Sequence, residues 1–473
     1  MKKKYKYLLK NVGVLTIGNL SSKILIFLLV PLYTSVLSVE EYGVYDLAAS
    51  MVQLLMPVAT CGIIGGVMRF IMDQSSDRQE VIRIGIFYVV KSSLAVSFFL
   101  LVCHIFRFIP AIEGLEIYIA AYYMFYAANQ LLIQIAKGFE KIKSMAASGI
   151  LSTAGMVAFN LLFLLALKWG VKGFFMANIL SQSISVFFLA RQVGLWERVW
   201  IRKKSAGGRQ LKKEMLQYSV PLILVDIGWW VNNSSDKYTV ALLCGVGMSG
   251  IFSVSYKIPS ILNVFQGIFM QAWQISAIRE SAEKDGNVFY GNIFILMNFG
   301  MYAVCSVLLL FLRPIAGILF SGEFYGAWQY VPFLLVSSVL NASAGFMGAI
   351  LSAEKDSGTM AISAFYGAGA NFILNILFVL WGGVQGAAIA TAIASFIIYA
   401  VRKRKVKGMV VFRYTRSIMC SWLLLSIQAF LKVYMDLWII QVILILVTVS
   451  LYIKPIGYIR NRFVKERGQD AFF

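Results

Sequence analysis

Residues 226–260 read DIGWWVNNSSDKYTVALLCGVGMSGIFSVSYKIPS, two apolar helical segments joined by a Gly-rich turn. Asp226, Asp236 and Lys237 sit inside the first segment and Lys257 inside the second. A charge near the middle of a bilayer costs roughly 2.5–3.5 kcal/mol on insertion scales, so it faces a protected cavity or a partner. Where these charges point is the functional question the sequence poses.

The rest of the chain supports reading this stretch as membrane-embedded. It has 473 residues, 59% of them hydrophobic and 14% charged, against about 25% charged in a soluble domain. Apolar runs of about 18 residues or more recur, the length a helix needs to cross about 30 Å of hydrocarbon. The pattern predicts an all-α polytopic membrane protein with about 14 spans. They fall at about 8–35, 42–70, 84–106, 114–136, 145–167, 173–193, 215–243, 247–278, 287–312, 325–352, 358–381, 384–401, 416–434 and 437–453. Residues 1–10 form a basic tail that feeds a full-length span, with no small-residue cleavage site, so no cleavable signal is expected.

The net charge of +21 is distributed as membrane orientation requires rather than as a nucleic-acid footprint. Alternate loops carry about 33 basic residues on one side and about five on the other, the asymmetry that marks the cytoplasmic face. Both termini are therefore expected in the cytoplasm, and the basic loops should meet anionic lipid headgroups. The segment 194–214, GLWERVWIRKKSAGGRQLKKE, is the expected linker, with Trp196 and Trp200 suited to headgroup level. The predicted organisation is an N-terminal six-helix lobe at 1–193, the basic cytoplasmic linker at 194–214 and a C-terminal six-helix lobe at 215–402. Two additional helices and a basic tail follow at 403–473.

A weak internal repeat supports two lobes. Gly43-Val44-Tyr45 opens the second span and Gly250-Ile251-Phe252 opens the eighth, six spans later, an offset that preserves orientation. Pro57 and Pro259 follow at different distances.

Polar residues at helical spacing mark faces turned away from lipid. Asp226, Trp230, Asn233 and Lys237 share one face of the seventh span. Ser253, Lys257, Ser260, Gly267, Gln271 and Gln274 share one along the eighth. Thr16, Asn19 and Lys23 coincide in the first span, and Tyr123, Tyr126, Gln130, Gln134 and Lys137 in the fourth. Interhelical hydrogen bonding alone accounts for neutral residues in such places. The lysines ask for more, because Lys23 and Lys257 lie deep and Lys91 only somewhat shallower, whereas Arg69 sits where it can snorkel. Embedded cations exceed the embedded acids Asp46, Asp226 and Asp236, so a cavity they line would attract an anion such as a phosphate or carboxylate. The candidate substrate-binding set is Lys23, Lys237, Lys257, Lys91, Asn19, Asn233 and Gln271. Asp226 and Asp236 are candidates for charge pairing or for holding a coupling proton or sodium ion. Asp236 lies about 100° around the helix from Lys237, which makes it a poor partner for that side chain.

Several chemistries are disfavoured. There is no GxxxxGK[ST] phosphate loop and no HExxH. The one histidine, His104, and five scattered cysteines offer no metal-ligand spacing and no Ser/His/Asp grouping. No catalytic residue, metal or cofactor is expected. The outer loops are too short to build a transferase or polymerase site.

The stretches NVGVLTIGNLSSKILIFLLVPLYTSVLSVEEYGVYDLAAS (11–50) and SSDKYTVALLCGVGMSGIFSVSYKIPSI (234–261) resemble the first and the seventh–eighth helix pairs of a known family. It is the polysaccharide and O-antigen flippases of the multidrug/oligosaccharidyl-lipid/polysaccharide exporter superfamily. The resemblance implies a MATE-like pair of six-helix lobes about a cavity that opens to each side in turn. It implies a cargo of undecaprenyl-pyrophosphate-linked oligosaccharide crossing the bacterial plasma (inner) membrane, with polysaccharide polymerase and glycosyltransferases as partners. Under it, Lys23, Lys237 and Lys257 are the positions that fit pyrophosphate binding, as point charges where arginine forks often serve. A cation-coupled multidrug exporter and a lipid II or sporulation-type flippase of the same superfamily are the alternatives.

Overall fold

The computed structural model describes residues 25, 27–73, 76–200, 208–280, 286–354, 356–410, 412, 414–435 and 437–470. Every regular element among them is helical. Contacts divide the chain into two compact units, Met1–Ser234 and Ser235–Phe473. The boundary falls within a long helix, downstream of the basic segment expected as the linker.

The first unit contains α1 (Val30–Val36), α2 (Val39–Ala59), α3 (Ile63–Met72), α4 (Arg78–Phe106), α5 (Glu116–Gly138), α6 (Ile142–Asn160), α7 (Gly170–Gln192) and α8 (Leu195–Trp200). The first part of α9 (Gly208–Cys244) belongs to it as well. A capping box starts α2: Ser38 Oγ accepts from the Glu41 amide at 3.1 Å, and the Glu41 carboxylate accepts from the Ser38 amide at 3.0 Å. The other Glu41 oxygen accepts from the Val171 amide at 3.3 Å and so stitches this end to α7. After Pro57 the backbone turns at Gly62, whose φ of +68° suits a residue without Cβ, and bends 59° into α3. The core is aromatic, with Tyr45 4.0 Å from Phe174 and 5.1 Å from Phe175 between ring centroids. Gly138 lets α5 approach α3, since a Cβ there would stand 2.7 Å from Ile71.

The second unit holds the rest of α9, then α10 (Val246–Ser255), α11 (Lys257–Glu280), α12 (Gly286–Leu310), α13 (Leu312–Leu319), α14 (Val331–Ala353), α15 (Ser357–Gly382) and α16 (Val384–Val406). α17 (Thr415–Tyr434) and α18 (Trp438–Asp470) complete it. Its centre is α14, 89% buried over its apolar span and packed against α11, α12, α16 and α17. Ser337, Ala342, Ser343, Ala344 and Gly348 supply the small surface that allows helices so close. α15 and α16 form a tight hairpin at Gly383 (φ +59°), and a Cβ on Gly386 would collide with the Phe378 carbonyl.

α17 and α18 pack on α12 through polar as well as apolar contacts. Trp422 Nε1 donates to Asn298 Oδ1 at 3.2 Å, Ser306 Oγ to Gln428 Oε1 at 3.0 Å, and Gln441 Nε2 to the Gln428 carbonyl at 3.1 Å.

Among the described residues nine helices are long and apolar enough to cross a membrane, or up to ten if the bent α2–α3 pair is one span. The expected count of about 14 is thus not established by this measure. The cause is partly chemical. In α5, Tyr122, Tyr123, Asn129, Gln130 and Gln134 dilute the apolar average, and in α9 Asp226, Asp236 and Lys237 do.

The repeat is visible locally. Gly43 is the fifth residue of α2 and Gly250 the fifth of α10, and both are buried. Tyr45 and Phe252, two residues on, are buried in turn, the first against Phe174 and the second 5.4 Å from Tyr256.

Candidate functional site

Asp236 is 2% exposed, the most deeply buried acid among the described residues. Burial without partners would be prohibitive for a carboxylate, and the fold supplies them from two helices and a break. The Tyr256 hydroxyl, between α10 and α11, donates to Asp236 Oδ2. Thr391 Oγ1 on α16 reaches the same oxygen at 3.5 Å, and the Lys237 amide donates to Oδ1 at 2.9 Å. Behind this lies a neutral layer. Asn371 Nδ2 donates to Thr391 Oγ1 at 3.4 Å, while Asn371 Oδ1 accepts from Ser235 Oγ at 3.1 Å and from Asn375 Nδ2 at 2.8 Å. Asn375 Oδ1 is buried without a hydrogen-bond partner.

The cluster is therefore oxygen-rich, carries one acid and ties α9 to α15 and α16. Hard oxygen donors in a dry site suit a proton or a small hard cation. Among the described residues no group of three His, Cys, Asp or Glu side chains gathers as a metal site would require.

The lysines on this segment sit differently. Lys237 is half-buried, with Nζ 5.7 Å from the Tyr256 ring centroid, and its carbonyl accepts from Ser249 Oγ at 3.0 Å. Lys257 is half-buried at the first position of α11. Lys91 is exposed on α4, on a face shared with exposed Phe87, Leu94 and Phe98. Asn233 is exposed and donates to the Trp229 carbonyl of its own helix at 2.7 Å. Asp226 is exposed on α9 in the first unit. One turn on, Trp230 Nε1 donates to the Ser50 carbonyl at 2.7 Å. Lys23, Asn19 and the side chain of Gln271 lie outside the described residues. Arg69 is held by Tyr218, 4.5 Å from guanidinium carbon to ring centroid, a cation–π contact in place of simple snorkelling.

Sequence reading missed the partners of Asp236. Tyr256 reads as an ordinary interfacial aromatic, and Asn371, Asn375 and Thr391 sit more than a hundred residues away. Their spacing was a usable signal: Asn371 and Asn375 are four apart, as are Thr391 and Ser395, so each pair marks one polar stripe on an otherwise apolar helix.

The sequence pattern of the polysaccharide biosynthesis protein family matches residues 8–274, more than half of the chain. The chain belongs to this family. As a polysaccharide biosynthesis protein it shares its fold with solved transporters of low sequence identity. Lipid II flippase MurJ in an inward closed conformation superposes with a TM-score of 0.71 at 14% identity, covering 95% of this chain and 99% of MurJ. An inward-facing multidrug resistance MATE family transporter of the MOP superfamily gives 0.66 at 15% identity over 83% of this chain and 98% of the transporter. A MOP superfamily transporter from Pyrococcus furiosus gives 0.53 at 15% identity, over 85% and 96%. No curated protein sequence matches significantly. The protein is a multi-pass membrane protein with a flippase or transporter fold.

Proposed function

We infer that this polysaccharide biosynthesis protein is a flippase for lipid-linked oligosaccharide, carrying undecaprenyl-pyrophosphate-linked repeat units from the inner to the outer leaflet of the bacterial plasma membrane. The observation that carries the reading is the family match over 8–274. It is supported by coverage: the MurJ fold accounts for 95% of the chain where the MATE folds account for 83–85%. No covalent bond changes. The protein lowers the barrier to moving a sugar headgroup through hydrocarbon by exposing it to each side in turn, while the lipid tail stays in the bilayer. In this reading both termini are cytoplasmic, and Lys237 and Lys257, with Lys23, offer charge to the pyrophosphate.

Asp236 carries the coupling. A proton or sodium ion that neutralises its carboxylate changes the balance of the Tyr256, Thr391 and Asn371 contacts that tie α9 to α15 and α16. The helix arrangement thereby acquires a dependence on ion occupancy.

The test is reconstitution into proteoliposomes with fluorescent undecaprenyl-pyrophosphate oligosaccharide in one leaflet, with lipid II and a cationic dye as parallel cargoes. Transfer of the oligosaccharide lipid above empty vesicles is expected. Movement of the dye alone would replace this reading with drug export. Transfer insensitive to both proton and sodium gradients in the wild type would remove the role given to Asp236.

A further inference from the structure

Arg402 belongs by sequence to the basic run that follows the twelfth predicted span, and it reads there as one more headgroup contact. The structure places it elsewhere. It is half-buried on α16, with its guanidinium folded across α14. Nε donates to Ser363 Oγ at 2.9 Å and Nη1 to the Ala344 carbonyl at 2.9 Å. Gly348 makes the crossing feasible, because a Cβ there would stand 2.8 Å from Arg402 Nη1. A guanidinium carries five N–H donors, so these two bonds fix its plane and leave most of the fork unused. Among the described residues no carboxylate pairs with it.

The free side of that fork faces a cavity of about 460 Å3 inside the second unit. Asn263, Gln266, Gly345 and Ser352 also line it. The wall mixes amide, hydroxyl and glycine backbone with Met270, Ala349 and Met360, and among the described residues it carries Arg402 as its cation and no acid. The cavity lies at the basic end of the bundle: α14 ends at Ala353, and Lys403, Arg404 and Lys405 follow Arg402 directly.

We propose that this cavity is a binding site for a phosphate-bearing group, with Arg402 as its charged anchor and Asn263 and Gln266 as amide partners. A half-buried guanidinium with unused donors and, among the described residues, no acidic partner favours an anion beside it. At headgroup depth the abundant anion is phosphate, whose paired oxygens match the Arg fork. That chemistry has two sources, the diester of an anionic bilayer phospholipid and the pyrophosphate of a lipid-linked sugar. The site stands apart from the transport reading, since occupancy is measured without transport.

The experiment uses purified full-length protein in detergent, titrated separately with sodium pyrophosphate, short-chain phosphatidylglycerol and short-chain phosphatidylcholine. Arg402→Gln, Gly345→Leu and Lys454→Gln are measured beside the wild type. Gly345→Leu adds bulk toward Gln266 and Met270 in the cavity and replaces neither Ser363 nor Ala344, the residues that hold Arg402, so it decides the matter should Arg402→Gln fail to fold. Lys454→Gln removes one exposed charge elsewhere. Pyrophosphate or phosphatidylglycerol should bind the wild type and bind the two cavity variants about tenfold or more weakly, as loss of a charge-assisted contact implies. Lys454→Gln should be unchanged. Pyrophosphate binding points to the lipid-linked cargo, and phosphatidylglycerol binding without it to bilayer lipid. The proposal is overturned if neither probe binds, if phosphatidylcholine binds equally well, or if Lys454→Gln weakens binding as much as Arg402→Gln does.

Discussion

Tyr256, in the break between α10 and α11, donates its hydroxyl hydrogen bond to the buried carboxylate of Asp236 on α9. A pair twenty residues apart is thus joined across a helix break, and the buried acid is met by a hydroxyl that can both donate and accept. Tyr256→Phe keeps the ring beside Phe252 and removes only the hydroxyl. It should destabilise the protein by about 1.5–3 kcal/mol, the range for a hydrogen bond to a charged group. Thermal unfolding in detergent checks this, and an unchanged midpoint would mean the bond contributes nothing.

Two glycines should respond in opposite directions to the same substitution. Gly386→Ala sets a methyl group against the Phe378 carbonyl, which belongs to backbone and cannot swing away. A loss of about 1–3 kcal/mol or more is expected from overpacking of this kind. Gly300→Ala meets nothing within 4 Å on α12 and should gain up to about 1 kcal/mol from helix propensity. Equal midpoints for the two variants would show that the α15–α16 hairpin is looser than described.

Asp356 supplies the pH-dependent prediction. It caps α15, accepting from the Thr359 amide at 3.0 Å and the Thr359 hydroxyl at 2.8 Å, with Lys405 Nζ 3.6 Å away. The Thr359 amide first, then its hydroxyl, with a smaller contribution from Lys405, hold this carboxyl below its ordinary range. A depressed carboxylate stabilises the fold above its unfolded value of about 3.9, and that contribution fades as pH falls through the lower folded value. Asp356→Ala should therefore lower the unfolding midpoint at pH 7, and the gap from wild type should begin to narrow below about pH 4 and shrink further as pH falls. A gap as wide at pH 3 as at pH 7 would assign the effect to packing.

Among the lysines, position separates two outcomes in the proteoliposome assay. Lys257→Gln, at the half-buried start of α11, should reduce oligosaccharide-lipid transfer about tenfold or more, as loss of a charged contact implies. Lys91→Leu, on the exposed face with Phe87, Leu94 and Phe98, should leave the rate within about twofold of wild type, the effect expected of a surface change. The reverse order would move the headgroup path to α4.

The helical class and the order of the apolar segments were legible because bilayer thickness writes itself into run length and charge spacing. The matching openings of α2 and α10 were legible because Gly43 and Gly250 hold the same place in their helices. The burial of Asp236 was legible as a cost, since an acid within an apolar helix must find partners. Which partners could not be read, because Tyr256, Asn371 and Thr391 come together only through tertiary packing. Arg402 shows the converse. One residue before a run of solvent-seeking lysines and arginines, its neighbours hide it, and its inward turn depends on Ser363, Ala344 and Gly348, which only tertiary packing brings beside it.

The contacts of Trp422 and Gln428 with Asn298 and Ser306 bear on how such chains gain and lose helices. Ending the chain before α17 would leave Asn298 its contacts with Ser343 and the Phe294 carbonyl, but it would take Trp422 from Asn298 and Gln428 from the Ser306 hydroxyl on α12. Gain or loss of the tail therefore bears most directly on position 306, whose hydroxyl bonds to Gln428, so the amino acid there should track tail length across related genomes.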